Sequence, residues 1–283
     1  MERTEIVKEE MIQELQFLVK EYEDATAMIS KIKQRLAGLD GCNDTLLKRY
    51  EGEQGMEAIK GRITGMMKKH LFYFDVYETY LKNIPGIGPW IAAKLIILFY
   101  YRFIPVCKDC GGNLEKQQAK SKRKGEMINV LICQKCGKQA DDGLLKHKLD
   151  FKDFPTISKW WAYMGRHTDG SKMPKRQKGT QINWSTEGRT LGFHIYDQFN
   201  RQPEDHLYKK LFIERKRKHA ANHPEWTKGH VHNAAGNETV KIFLAHFWTV
   251  ARSMDGKTVS DPYAGALMGH TNIIKPFYWE EED

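Results

Sequence analysis

Apolar residues recur at intervals of three and four along the N-terminal end of the chain. The series consists of Met11, Leu15, Leu18, Tyr22, Ala25, Ile29, Ile32, Leu36 and Leu39. This spacing is a heptad pattern, so residues 1–50 are predicted to contain a long coiled-coil helix. A second helix is predicted from about Met56 to Lys82. The two helices can pack as an antiparallel hairpin within one chain, or the apolar seam can pair two copies of the chain into a homo-oligomer.

The stretch NIPGIGPWIAAKLI interrupts the helical pattern at residues 83–96. Its glycines permit positive φ, and its paired alanines allow two helices to approach closely. Residues 51–104 are therefore predicted to contain a helix-hairpin-helix motif, in which amides at a helix N-terminus bind a DNA phosphate without reading the base sequence. The residues expected to contact DNA are Gly86, Ile87, Gly88 and Lys94. The alternative interpretation is a plain glycine-rich turn between two helices.

Two CxxC motifs follow in the segments CKDCGG and CQKCGK, which are separated by 22 residues. They contain Cys107, Cys110, Cys133 and Cys136, and each motif is followed by the glycine that a knuckle turn requires. The pattern predicts a zinc ribbon in residues 105–150, with MINVLIC as the strand entering the second knuckle. Four thiolates leave no open coordination position, so the expected zinc is structural. Two disulfides or a redox-active CxxC are the alternatives.

Residues 151–283 return to helical patterns. A short aromatic helix is predicted in DFPTISKWWAYMGR, and further helices are predicted in LGFHIYDQFNR, HLYKKLFIERKRKHA and ETVKIFLAHFWTVARSM, with a basic loop between the first two. The expected fold is mainly α. It consists of an N-terminal coiled coil or helical hairpin, a helix-hairpin-helix domain that contains a small inserted β zinc ribbon, and a C-terminal helical domain.

Composition and charge limit the cellular compartment and the class of binding partner that we expect. The 283 residues contain 45 Lys and Arg against 36 Asp and Glu, a formal charge of +9. Basic residues cluster at 116–126, 171–179 and 214–219, which favours a polyanion as partner. No run of about 18 apolar residues and no signal-peptide pattern is present, so we expect a cytoplasmic protein without a membrane partner.

The order of these motifs resembles the C-terminal half of the insertion-sequence one-ten family of DEDD transposases. The resemblance rests on IPGIGPWIAAKL, then FPTISKWWAYMGR, then a serine-containing basic loop, and finally KIFLAHFWTVAR, and it covers residues 84–96 and 154–252. It implies a DNA-associated protein of a prokaryote or virus that acts in transposition or site-specific recombination. In this family a helix-hairpin-helix transposase domain carries a serine nucleophile, and a separate RuvC-like domain holds metal ions on carboxylates.

The resemblance assigns the nucleophile to Ser171, with Ser185 as a weaker match. A serine that attacks a DNA phosphate needs nearby cations to neutralise the developing charge. The cations available in the loop are Lys172, Lys175, Arg176 and Lys178. The alternative is an ordinary Asp-Gly-Ser turn on a solvated loop, because the family's Ser-Gly step reads GSK here and its later Lys-x-Gly-Asn reads TEGRT.

Two further departures shape the functional expectation. Residues 1–82 are predicted to be helical where the family has its RuvC-like domain, so Mg-dependent carboxylate chemistry is expected from a partner or a second chain. The zinc ribbon is an insertion relative to the family. The leading hypothesis is a DNA-binding recombinase, with a structured guide RNA as a further candidate partner. The alternatives are a non-catalytic nucleic-acid-binding factor and a zinc-ribbon coiled-coil scaffold.

Overall fold

The computed structural model describes residues 2–38, 55–120, 127–140, 146–168, 173–177, 179, 181–259 and 274–279. The described α-helices are α1 (Glu2–Ala37), α2 (Met56–Leu71), α3 (Asp75–Thr79), α4 (Pro89–Tyr100), α5 (Ile157–Tyr163), α6 (Thr186–Arg201), α7 (Leu207–Asn222) and α8 (Lys228–Met254). The described strands are β1 (Tyr101–Val106), β2 (Leu114–Lys120), β3 (Met127–Cys133), β4 (Gln139–Ala140) and β5 (Lys146–Phe151). The prediction of a mainly α fold with a small β insertion is confirmed.

The chain divides into two compact units. Residues 1–97 and 154–283 form the first, which we call the helical unit, and residues 98–153 form the second, which we call the ribbon. Each unit is described by itself below. Among the described helices, none combines the length and the apolar character that crossing a lipid bilayer requires.

In the helical unit, α1 packs along α2 of the same chain as an antiparallel hairpin. Lys33 near the end of α1 pairs with Glu57 at the start of α2 at 2.6 Å, and Glu14 lies 2.5 Å from His70 at the end of α2. The apolar side chains buried on the two helices are Ile12, Leu15, Leu18, Val19, Ala25, Ile63, Met67 and Leu71. Part of the heptad seam is therefore buried within one chain. Leu39 lies outside the described residues.

The predicted single helix from Met56 to Lys82 is wrong, because α2 ends at Leu71. The chain leaves the helical conformation at 72–74, begins α3 after an extended Phe74, and then forms a 3₁₀ turn at Leu81–Asn83. The side chains buried in this stretch are Phe74, Val76, Tyr77, Tyr80 and Leu81. Apolar residues at this density cannot all be buried on one helical face, so the chain turns to bury them.

The C-terminal helices pack around α8, which is 27 residues long. It begins ten residues before the predicted start at Glu238, because the Thr227 hydroxyl accepts the amide of His230 at 3.2 Å and caps an earlier first turn. The largest apolar side chains buried on α8 are Phe243, Leu244, Phe247 and Trp248. The aromatic core of the helical unit therefore lies along the C-terminal part of this helix.

A chain of hydrogen bonds crosses this aromatic core. Nε2 of His246 lies 2.9 Å from the carbonyl oxygen of Ile274, so Nε2 carries the proton. Nδ1 then accepts from the Tyr208 hydroxyl at 2.9 Å, and Tyr80 donates to Tyr208 at 3.2 Å. Burial lowers the pKa of His246 to about 4, which keeps this ring neutral at pH 7. His246 therefore has a structural role.

The ribbon contains two antiparallel sheets. Strands β2, β3 and β4 form one sheet, in which Leu114 lies opposite Cys133 and Leu131 lies opposite Ala140. Strands β1 and β5 form the other. MINVLIC coincides with β3, as the sequence predicts, so the strand leads directly into the second knuckle.

Candidate metal centre and nucleic-acid interface

The four cysteines of the ribbon meet in one cluster. The Sγ atoms of Cys107 and Cys136 lie 3.7 Å apart, those of Cys110 and Cys133 lie 3.4 Å apart, and all four lie within 4.8 Å of one another. A disulfide bond would need about 2.05 Å, and all four thiols are free. A tetrahedral ion with metal–sulfur bonds of about 2.3 Å separates its ligands by about 3.8 Å. The cluster can therefore hold a metal ion.

Glycines permit the tight backbone turns of the two knuckles. Gly111 and Gly137 have φ of +67° and +71°, and their amides each donate at 2.9 Å to the carbonyl of the first cysteine of their motif. Gly112 is required for a different reason, because a Cβ at this position would lie 2.9 Å from Sγ of Cys133. Local turn chemistry thus shapes each knuckle, and the pairing of β2 with β3 brings the two knuckles together.

Backbone amides of the knuckles also favour the thiolate form. Hydrogen bonding, first from the Cys136 amide, lowers the pKa of the Cys133 thiol to about 6. Amides of Cys110 and Asp109 likewise lower the pKa of Cys107. The pKa of Cys110 is raised to about 12, because the lowering effect of the Gly112 amide is outweighed by the hydrogen bond to Cys133 and by burial. Deprotonated sulfur is the form that coordinates metal, so the amides prepare Cys107 and Cys133 for a bound ion.

The two glycines of the predicted hairpin differ in conformation and in surroundings. Gly86 has φ of +91°, and a Cβ there would lie 3.2 Å from Nε2 of Gln202, which follows α6. Ile87 is buried, whereas Gly88 is exposed and has space around it. α4 begins at Pro89, and Ala92 and Ala93, the next helix positions predicted to be tightly packed, are fully buried.

Lys94, which the sequence assigns to the DNA contact, is paired within the fold. Its ammonium group lies 2.6 Å from the Glu23 carboxylate of α1, and its side chain is only 10% exposed. It also lies 5.4 Å from the ring centroid of Trp90. A phosphate could therefore reach the ammonium group of Lys94 only by displacing the carboxylate of Glu23.

A cavity of about 580 Å³ lies beside the hairpin, lined by Gly86, Gly88, Pro89 and residues of α1, α2, α4 and α6. Two carboxylates, Glu23 and Glu187, are part of this lining. Each has a lysine partner, since Glu187 lies 3.3 Å from Lys20. Phosphate binding at the hairpin stays a prediction.

The basic loop is partly described. Lys175 and Arg176 are exposed, while Ser171, Lys172 and Lys178 lie outside the described residues. Ser185, the weaker match to the nucleophile, is the N-cap of α6, and its hydroxyl accepts the Gly188 amide at 3.0 Å. This bond explains the presence of Ser185 without a catalytic role.

Four exposed cations lie on α7. Its members are Lys210, Lys216, Arg217 and Lys218, and none of them forms an ion pair with a described residue. Their neighbour Arg215 differs, because it pairs with Glu238 of α8 at 3.3 Å. Glu214 is an exposed carboxylate on the same helix, so the surface keeps a net positive charge. We call these four residues the α7 cations.

The chain matches no protein-family model, no curated protein and no solved structure. The resemblance to the insertion-sequence one-ten transposases therefore stays a prediction from short motifs.

Sequence patterns missed a second cavity in the helical unit, of about 510 Å³. Its lining consists of Arg166, Met173, Arg189, Thr190, Phe193, Tyr196, Asn233 and Asn237. Two arginines and two asparagines line this space, and no carboxylate of a described residue does. We call it the arginine cavity. One sequence feature could have indicated this cavity: Arg166 in AYMGR is an arginine that follows a strongly apolar helix.

Proposed function

We propose that the protein is a DNA-binding protein of the recombinase type and that it binds the backbone phosphates of the nucleic acid. The α7 cations carry this proposal. Exposed lysine and arginine side chains without acidic partners can each neutralise one phosphate, and a rigid helix holds them at fixed spacing. Cations that are satisfied within the fold, such as Lys94 and Arg215, contribute little to such a surface.

The ribbon supports the same proposal. Residues 98–153 contain 12 Lys and Arg and seven Asp and Glu, a formal charge of +5. We propose that the four cysteines bind Zn²⁺, with no coordination position left for catalysis. Four thiolates on one zinc ion add a charge of −2, so the loaded ribbon keeps about +3. The ribbon is then a second positively charged surface for a polyanion.

The recombinase class rests on the order of the motifs. In this proposal Ser171 attacks a DNA phosphate, a phosphoserine link forms as the bond to the leaving strand breaks, and the proton of the serine hydroxyl passes to the leaving oxygen. Lys175 and Arg176, which are exposed on the same loop, neutralise the developing charge. Mg-dependent carboxylate chemistry belongs to a partner or to a second chain.

The salt dependence of DNA binding tests the role of the α7 cations. In the variant Lys216→Gln/Arg217→Gln/Lys218→Gln, the slope of log affinity against log salt should become shallower by about 0.9 for each phosphate that the variant no longer neutralises. A matched control is Lys33→Gln/Lys82→Gln/Arg201→Gln, which removes three cations that form ion pairs within the helical unit. Equal slopes in the two variants would show that the α7 cations do not bind phosphate.

Ser171→Ala tests the recombinase chemistry separately. Denaturing electrophoresis of the protein incubated with labelled DNA and Mg²⁺ in an extract of the cells that express it, which supplies the partner, should show a covalent adduct for the wild type and none for this variant, while DNA affinity stays the same. Ser185→Ala is the control and should retain the adduct. If the adduct persists in Ser171→Ala, Ser171 is not the nucleophile.

A further inference from the structure

Arg166 is a buried cation in the helical unit. It follows α5 in the sequence and is only 4% exposed. Its Nη2 donates to the backbone carbonyl of Arg189 at 2.8 Å, and its Nη1 donates to Oδ1 of Asn237 on α8. Space for the guanidinium group exists because residue 192 of α6 is glycine, where a Cβ would lie 2.3 Å from Nη2.

The described residues give Arg166 no negative partner. Both of its hydrogen-bond acceptors are neutral, and its Nε is buried without a hydrogen-bond partner among the described residues. Burial, and then the nearby charge of Arg189, lower the pKa of Arg166 to about 10. Burying an ion without a counterion is costly, and buried charges in proteins are therefore normally paired. Arg166 is thus suited to contact an anion.

Arg189 adds a second cation to the same place. It lines the arginine cavity together with Arg166, and its Nη1 donates to the carbonyl of Pro174 in the basic loop. Its guanidinium carbon lies 5.8 Å from the ring centroid of Trp184. These contacts fix the orientation of Arg189, and neither of them neutralises its charge.

The remaining lining suits a phosphate group. Asn233 and Asn237 can each donate an amide hydrogen to it. The hydroxyl groups of Thr190 and Tyr196 already donate within the fold, to the carbonyl of Thr186 at 3.0 Å and to Oδ1 of Asn233 at 3.4 Å. Planar guanidinium groups match the oxygens of a phosphate, and such charge-assisted hydrogen bonds are stronger than neutral ones. Met173 also lines the cavity, so the cavity adjoins the loop that carries Lys175 and Arg176.

We propose that the arginine cavity binds a phosphate group. This inference rests on the proposed function for the source of that group, which is a backbone phosphate of DNA lying along the basic loop. The rival explanation is structural, with Arg166 serving only to link the first turn of α6 to Asn237 of α8.

Asn237→Asp separates the two explanations. The new carboxylate gives the buried Arg166 a counterion, so the melting temperature should rise, but it also neutralises the positive site, so DNA affinity should fall by about tenfold. A purely structural Arg166 predicts the same rise in melting temperature with unchanged affinity. Asn200→Asp, which makes the same charge change on α6 outside the cavity lining, is the control and should change neither quantity strongly.

Arg189→Gln provides a second variant, which removes a positive charge instead of adding a negative one. It removes the less buried cation, and DNA affinity should again fall by about tenfold. If both variants bind DNA as the wild type does, the cavity proposal is wrong while the proposed function stands. If the wild type does not bind DNA, but inorganic phosphate raises its melting temperature and not that of Asn237→Asp, the phosphate site is supported and its nucleic-acid source is wrong.

Discussion

The ribbon brings its four thiols together from two short segments, whereas the helical unit brings Arg166, Arg189 and Asn237 together from three distant parts of the chain. In the ribbon, spacing and turn glycines determine the geometry locally. In the helical unit, helix packing determines which polar groups meet. A metal-binding motif can therefore be read from neighbouring residues, while an anion site built by tertiary packing cannot.

The largest expected difference between the two units concerns metal removal. Chelation of the bound ion, or Cys133→Ser, should unfold the ribbon with a loss on the order of 10 kcal/mol, because its short strands bury little apolar surface. The helical unit should stay folded. Hydrogen exchange of the full chain would show fast exchange confined to residues 98–153, and tryptophan fluorescence should stay unchanged, since all seven tryptophans lie in the helical unit.

Cys42→Ser is the matched control, because Cys42 is the one cysteine of the sequence outside the two CxxC motifs. It should leave the exchange of the ribbon unaltered. Slow exchange of residues 98–153 in the chelated protein would contradict a structural metal.

A smaller difference is expected on acidification. The pKa of His246 lies near 4 in the folded helical unit and near 6.5 in the unfolded chain. The unfolded state therefore binds more protons between these values, so the free energy of unfolding should decrease by about 3 kcal/mol as the pH falls from 6.5 to 4. Urea unfolding followed by tryptophan fluorescence measures this in the helical unit alone.

His246→Gln retains a hydrogen-bonding side chain that does not titrate. In this variant, stability should vary less between pH 6.5 and pH 4 than in the wild type. The same pH dependence in both proteins would show that His246 is not buried as a neutral ring.

The sequence predicted elements that depend on local rules. The cysteine cluster, strand β3 and the positive φ of Gly86 all follow from nearby residues. The helical breaks around Phe74 were missed, because dense apolar sequence satisfies a helical pattern even where burial on several sides requires a turn. The early start of α8 was missed because its first turns are polar and depend on a single cap at Thr227.

The predicted interface depended on partners that a sequence does not show. From the sequence, Lys94 is predicted to contact a phosphate. In the fold, its Nζ lies 2.6 Å from Oε1 of Glu23 on α1. The sequence pattern did not identify Arg166, which follows an apolar helix. In the fold Arg166 is a buried cation, and no carboxylate of a described residue pairs with it. The tertiary fold determines which charges lack a partner, so charge counts alone cannot show which surface would bind a polyanion.

Binding of nucleic-acid phosphates by this protein is tested most directly by measuring its affinity across a salt series. Purified, zinc-loaded protein should be titrated with labelled linear DNA, branched DNA and structured RNA. We expect log affinity to fall steeply and linearly with log salt, with a slope corresponding to several neutralised phosphates. Weak binding with a flat salt response for all three probes would contradict the proposed function, and would leave the scaffold hypothesis as the better description.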